Sequence, residues 1–202
     1  MSKTHNRIVV ISAGLSVPSS TRLLADRLAE ATVAAIAHPV EVEVVELRPL
    51  AHPLADHLLT GFPSGGLAEA IETVRRADAL IVVTPVFSAS YSGLFKTFFD
   101  VLEPETLAGV PVLIAATAGT ARHSLVLEHA LRPLFSYLHA VVVPTAVFAA
   151  SEDFGEAGLQ SRIDRAAGEL AGLLGGAPRQ RARTVEDEFA APTPFEDLLR
   201  GA

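Results

Sequence analysis

Three short apolar runs stand out along the chain: Ile8-Val-Val-Ile11, Ala79-Leu-Ile-Val-Val83 and Pro111-Val-Leu-Ile-Ala-Ala116. Continuous β-branched runs of this length predict central strands buried on both faces, as in a parallel sheet. The stretches between them carry helical spacing. Leu24, Leu28, Ala31 and Ala35 share one face of a helix expected over 21–37, ended by His38-Pro39. Leu67, Ile71 and Val74 mark a second over 67–77, and further helices are expected over 94–102 and 123–138. Leu159, Ile163, Ala167, Leu170 and Leu174 mark the last. Val40-Glu-Val-Glu-Val-Val-Glu46 alternates apolar with acidic residues, the pattern of an edge strand with one wet face. A last strand is expected at 140–143, carried past Pro144 towards Phe148. Residues 48–66 hold Pro49, Pro53, Pro63 and the pair Gly65-Gly66, and predict a long loop. Strand and helix thus alternate five times with no repeat and no linker. That order predicts an α/β domain over residues 1–175, a five-stranded parallel sheet with helices on both faces.

The strand ends carry the candidate chemistry. After Ile11 comes Ser12-Ala-Gly14-Leu-Ser-Val-Pro-Ser19-Ser20-Thr21-Arg22, in which Ser19 and Ser20 are good helix N-caps. A helix's first turn leaves N–H groups unpaired, and its dipole favours an anion. Hydroxyls and Arg22 add donors and a charge, so this loop is a candidate phosphate cradle. An ordinary turn with a serine cap is the alternative. Two other loops of the same character follow later strands: Thr84 to Gly93, and Thr117-Ala118-Gly119-Thr120. In an open parallel sheet, ligands bind beyond the carboxyl ends of the strands at a topological switch. The loops match neither Gly-x-x-x-x-Gly-Lys-Ser/Thr nor Gly-x-Gly-x-x-Gly, which argues against a P-loop and a dinucleotide fingerprint.

Composition narrows the field. With no cysteine among 202 residues, disulfides, thiolate metal sites and iron–sulfur clusters are excluded on this chain. His52 and His57 have no third ligand at a useful spacing, so no metal is expected. The formal charge of −7 argues against nonspecific nucleic-acid binding. No apolar run approaches the roughly 20 residues that span a bilayer. The start, Met-Ser-Lys-Thr-His-Asn-Arg, lacks a signal peptide's apolar core, and a cytoplasmic protein is expected. Residues 176–202 change character, with Arg179-Gln-Arg-Ala-Arg183 before Glu186-Asp-Glu188. They are expected to be a solvated tail, or to anchor through Phe189, Phe195, Leu198 and Leu199 on a neighbouring subunit.

The middle loop, Thr84-Pro-Val-Phe-Ser-Ala-Ser-Tyr-Ser-Gly-Leu-Phe-Lys-Thr-Phe-Phe-Asp100, resembles that of the flavodoxin-like NAD(P)H-dependent FMN reductases. The loop from Ser12 to Arg22 resembles the family's phosphate loop, and Thr117-Ala-Gly-Thr with His123 resembles its turn beside the flavin ring. The segment Phe148-Ala-Ala-Ser-Glu-Asp-Phe-Gly155 resembles an actinobacterial-type branch. The chain departs from the pattern at Phe87, often tyrosine, and at Ala118, often a second glycine. The resemblance implies a flavodoxin-like sheet of order 2-1-3-4-5 and hydride transfer from NADPH or NADH to FMN. The reduced flavin could serve a separate monooxygenase. Ser12, Gly14, Ser19, Ser20, Thr21 and Arg22 would hold the phosphate. Pro85, Val86, Phe87, Ser88, Tyr91, Ser92 and Gly93 would run along the ring, with Thr117, Ala118, Gly119 and Thr120 at another edge. The chemistry is the cofactor's, so no catalytic residue is expected. A flavodoxin-like electron carrier and a quinone or azo reductase are the competing readings. The extra length and the absence of tryptophan favour the enzyme. Phe95, Phe98 and Phe99 on one helix, and Leu125, Leu131, Phe135 and Leu138 on another, put apolar side chains on more than one face. A homodimer, or a tetramer of dimers, is expected from them.

Overall fold

The computed structural model describes residues 6–174, so the expectations for residues 176–202 lie outside the described residues. The chain runs β1 (Asn6–Ser12), α1 (Ser20–Ala35), β2 (Val40–Glu46), α2 (Ala51–Thr60), α3 (Gly66–Arg75), β3 (Ala79–Phe87), β4 (Ser90–Tyr91), α4 (Gly93–Asp100), β5 (Pro111–Ala118), α5 (Arg132–Tyr137), β6 (Val141–Val142), β7 (Val147–Ala150) and α6 (Ala157–Leu174). The parallel strands lie in the order β2-β1-β3-β5, with β6 and β7 both paired to β5 at the far edge. This is the expected flavodoxin-like order, with two differences. The fifth position is shared by two short strands because Pro144, lacking an N–H, interrupts the ladder between them. β4 is an added two-residue strand that folds back antiparallel on the end of β3, so the sheet has seven strands and not five.

Alternation along the central strands builds two cores. Ile8 and Val10 face one side with Leu24 and Leu28 of α1 and Leu159, Ile163 and Leu170 of α6. Val9 and Ile11 face the other with Leu54 of α2, Leu67 and Val74 of α3, and the aromatic residues of α4 and α5. The β-branched runs are thus buried on both faces, as their composition implies. Phe95, Phe99 and Phe135 form one aromatic cluster, with Phe95–Phe99 and Phe99–Phe135 centroids 4.8 and 4.9 Å apart. Phe95, Phe98, Phe99, Leu131 and Phe135 are therefore covered within the chain. They do not form the open apolar face from which a dimer was expected.

The stretch 48–66 is not a long loop. Arg48–Leu50 is a 3₁₀ turn and leads directly into α2. Pro49 occupies the first positions of the turn, and Pro53 the first turn of α2, where a missing N–H breaks no helical bond. Gly61, at φ 77°, ends α2 in the left-handed conformation. The expected helix over 123–138 is also subdivided. A 3₁₀ turn at Ala121–His123 and a π-helical turn at Leu127–Leu131 precede α5, and Pro133 lies in the first turn of α5. In β2 the expected alternation is blurred, because Val42 and Val44 stay 36% and 40% exposed at the sheet's edge.

Candidate functional site

The chain turns left from β1 to β2 and right from β1 to β3, so the topological switch lies between β1 and β3. At their carboxyl ends Ser12 pairs with Glu46 on one side and with Val83 on the other. The Ala13 N–H donates to the Val83 carbonyl (2.9 Å), and the Leu47 N–H donates to the Ser12 carbonyl (2.9 Å). These bonds bring the β1–α1 loop, the end of β2 and the end of β3 to one edge. A cavity of about 290 Å³ opens there. It is lined by Ser12, Gly14, Ser16, Val17, Ser19, Arg22, Glu46, Arg48 and Pro49.

The loop's hydroxyls divide into structural and free. Ser19 Oγ accepts from the Arg22 N–H (3.2 Å) as the N-cap of α1. Gly14 passes so close to Ser19 that a Cβ on it would lie 2.1 Å from Ser19 Oγ. The backbone and the cap thus share space that only glycine leaves. Thr21 is not directed at the cavity. Its buried hydroxyl lies 2.8 Å from the Thr117 hydroxyl at the end of β5. Ser16 and Ser20 are exposed. Arg22 lines the cavity, but its Nε donates to Asp26 (2.8 Å) and its Nη1 to Glu46 (2.6 Å). The hydrogen bonds it donates to Asp26 and Glu46 raise its already high pKa further, so the guanidinium is always charged.

The second candidate loop is a hairpin. Val86 pairs with Tyr91 and Phe87 with Ser90, and Ser88 and Ala89 take left-handed φ of 48° and 66° at its tip. The Thr84 hydroxyl accepts from the Ser92 N–H (3.0 Å) and donates to the Pro85 carbonyl (2.9 Å). Ser92 Oγ in turn accepts from the Phe95 N–H (3.2 Å), capping α4. The Ser92 side chain is therefore a buried cap of α4. Tyr91 lies against Phe95, ring centroids 5.9 Å apart, and is half-buried. Phe87 is 48% exposed, and Pro85 and Val86 are half-buried beside it. Gly93 opens α4 on the surface, and beyond its chain neighbours and the backbone of α4 no atom lies within 4 Å of where a Cβ would stand.

In the third loop the Thr117 hydroxyl is engaged by Thr21, Ala118 is half-buried and Gly119 is exposed. Thr120 caps the following 3₁₀ turn through the Arg122 N–H. The structure thus gathers Ser12, Gly14, Ser19 and Arg22 around one cavity and assigns Thr21, Ser92 and Thr117 to internal bonds. Sequence reasoning missed Ser16, Glu46 and Arg48. The signal for the last two was the strand order itself, because a β2 beside β1 must end at the same edge.

A hydroxyl-lined cavity at a helix N-terminus, an open surface beside Gly93 and a hairpin carrying an exposed aromatic have the chemistry to fit the phosphate and ring of a flavin mononucleotide. The NADPH-dependent FMN reductase family profile matches residues 6–155. The FMN reductase (NADPH) of Pseudomonas aeruginosa is 38% identical over 175 residues, covering 84% of this chain and 93% of the relative. The NADH-dependent FMN reductase SfnE of Pseudomonas putida is 38% identical over 179 residues, covering 85% and 94%. Among solved structures, an oxidoreductase from Corynebacterium diphtheriae is 52% identical with a TM-score of 0.83, covering 85% of this chain and 98% of that one. By profile, by sequence over most of its length and by fold, this chain belongs to the NADPH-dependent FMN reductase family.

Proposed function

We propose that this oxidoreductase, which uses NADPH or NADH to reduce FMN, releases the reduced flavin to a separate monooxygenase. The observation that carries the reading is the open surface at Gly93, where an added Cβ would meet no atom within 4 Å beyond its own helix backbone and chain neighbours. A ring seated there stays reachable by a nicotinamide and by solvent. The residues fit the cofactor: Ser12, Gly14, Ser16 and Ser19 line a cavity at a helix N-terminus, where a phosphate is favoured. When bound, the flavin accepts a hydride from the nicotinamide, and this chemistry is its own. The chain's part is to seat the phosphate, to hold the Val86–Tyr91 hairpin along the ring through the Thr84–Ser92 bond, and to leave the ring's other face open. No side chain has to move a proton. The relatives above include one named for NADPH and one for NADH, so both coenzymes belong in the assay.

The test mixes purified protein with FMN and each nicotinamide and follows nicotinamide absorbance, with and without a quinone. Oxidation that scales with added FMN as a substrate supports release of reduced flavin. Turnover that is independent of added FMN but needs a quinone favours a quinone reductase, and no turnover favours an electron carrier. A cytoplasmic location accompanies this reading, since the reaction consumes nicotinamide coenzyme.

A homodimer, or a tetramer of dimers, belongs to the same proposal on new grounds. Tyr137 is 81% exposed and Leu125 65% exposed on the segment that contains α5. Beside Tyr137 a cavity of about 490 Å³ lies between α4 and α5, lined by residues that include Tyr91, Lys96, Asp100 and His129. Large side chains next to a cavity of that size suit self-association. Light scattering at micromolar concentration should give a dimer or tetramer mass, and a monomer mass would overturn this part.

A further inference from the structure

We propose that Arg48, at the end of β2, is the cation that recognises the phosphate monoester of FMN, and that Arg22 positions the cavity wall. The assignment rests on the FMN reading above and goes one residue further.

Arg22 is the obvious partner by sequence, since it stands in the first turn of α1. Its guanidinium, however, already serves Asp26 at 2.8 Å and Glu46 at 2.6 Å. Glu46 lines the cavity beside it, and together the two carboxylates more than neutralise this guanidinium. A phosphate monoester carries a charge of about −1.5 to −2 near neutral pH. It would meet repulsion there unless another cation faced it. Arg48 lines the same cavity, and among the described residues no carboxylate pairs with it. Of the charged residues that line the cavity, Arg22 pairs with Glu46, which leaves Arg48 as the cation available to an anion.

The backbone presents Arg48 for this role. Leu47 is fully buried, and its N–H is tied to the Ser12 carbonyl at the entrance of the β1–α1 loop. Pro49 fixes φ on the other side. The main chain at Arg48 is thus held against the loop's first residue while its side chain remains exposed and free to pair. A planar guanidinium offers paired N–H donors that match phosphate oxygens.

A phosphate monoester also occurs on NADPH and is absent from NADH, so the experiment separates the two sources. FMN and riboflavin affinities are measured by fluorescence titration for the unmodified protein, Arg48→Ala and Arg48→Lys. KM is measured for NADPH and NADH in the same three proteins. Arg48→Ala should weaken FMN about tenfold or more and leave riboflavin within about twofold, which also shows that the variant is folded. Arg48→Lys should recover part of the loss, and the ratio of NADPH to NADH KM should stay unchanged. An unchanged FMN-to-riboflavin ratio in Arg48→Ala overturns the assignment alone. A loss confined to NADPH relative to NADH also overturns it. Equal FMN and riboflavin affinity in the unmodified protein overturns the phosphate-cavity reading, and this assignment with it.

Discussion

The hydroxyls of Thr21 and Thr117 lie 2.8 Å apart, each side chain about 3% exposed, and join the first turn of α1 to the last residues of β5 across 96 positions of sequence. The bond ties the start of α1 to the end of β5. Removing one partner strands a buried hydroxyl, which costs about 1–3 kcal/mol, whereas replacing both with apolar groups of similar shape is close to neutral. Thr117→Val and Thr21→Val should each destabilise the apo-protein by that amount. The double variant should lose less than the sum. Urea melts of the four proteins give the coupling energy, and strict additivity would show that the contact carries none.

Gly14→Ala should both lower stability and abolish FMN binding. The new Cβ would meet Ser19 Oγ at 2.1 Å and Ser19 Cβ at 3.1 Å. Relief requires Ser19 to give up its cap on α1, worth about 0.5–2 kcal/mol. A thermal melt that matches the unmodified protein, with FMN affinity intact, would mean that the loop relaxes freely.

Gly93→Ala should behave oppositely in the apo-protein. Beyond its chain neighbours and helix backbone nothing lies within 4 Å of the added Cβ, and Gly93 is the first residue of a helix capped by Ser92. Alanine suits that position and should raise stability by about 0.4–1 kcal/mol. FMN affinity and nicotinamide oxidation should nonetheless fall if the ring is seated on this side as proposed, because the methyl group would occupy its space. A stable variant with undiminished FMN affinity would remove the flavin from this loop.

Ala89→Gly should stabilise the β3–β4 hairpin. Ser88 and Ala89 have φ of 48° and 66°, a two-residue turn whose conformation favours glycine or asparagine. Relief of left-handed strain, less glycine's entropy in the unfolded chain, leaves roughly 0.5–1 kcal/mol. Differential scanning calorimetry would read the gain, and a lower melting temperature would show that the turn is not strained at Ala89.

Acid should release one ion-pair cluster on α3. The Arg75 side chain, and Arg76 beside it, hold the Glu72 carboxyl at about 2, below its usual 4.5. A carboxyl with a depressed folded-state pKa contributes stability above the unfolded value and loses it as pH falls through the folded one. The window here is therefore pH 4.5 down to 2. The site is about one-third exposed, so solvent screening keeps the contribution near 0.5 kcal/mol. Glu72→Gln should lower the melting temperature slightly at pH 7 and leave it unchanged near pH 2. An equal effect at both would exclude the ion pairs as its source.

The alternation of buried runs and helical stripes was enough to read the parallel sheet and its two helical layers. That information is local: a β-branched run such as Ile8 to Ile11 has few ways to be buried except between two layers. The three polar loops were legible for the same reason, since each begins where an apolar run stops. The helix from Ala51 to Thr60 was not, because Pro49, Pro53 and Pro63 signal a loop until a helix start turns one of them into an asset. The partners of individual side chains were also hidden. Thr21 and Arg22 look equivalent as phosphate donors along the chain, yet α1 directs one towards Thr117 and the other towards Glu46. Arg48 stands 26 residues beyond Arg22 in sequence and reaches the same cavity only because β2 pairs in register beside β1. Strand order and register are long-range properties, set by which surfaces pack together. They decide which charges share a cavity, and no window of sequence contains that decision.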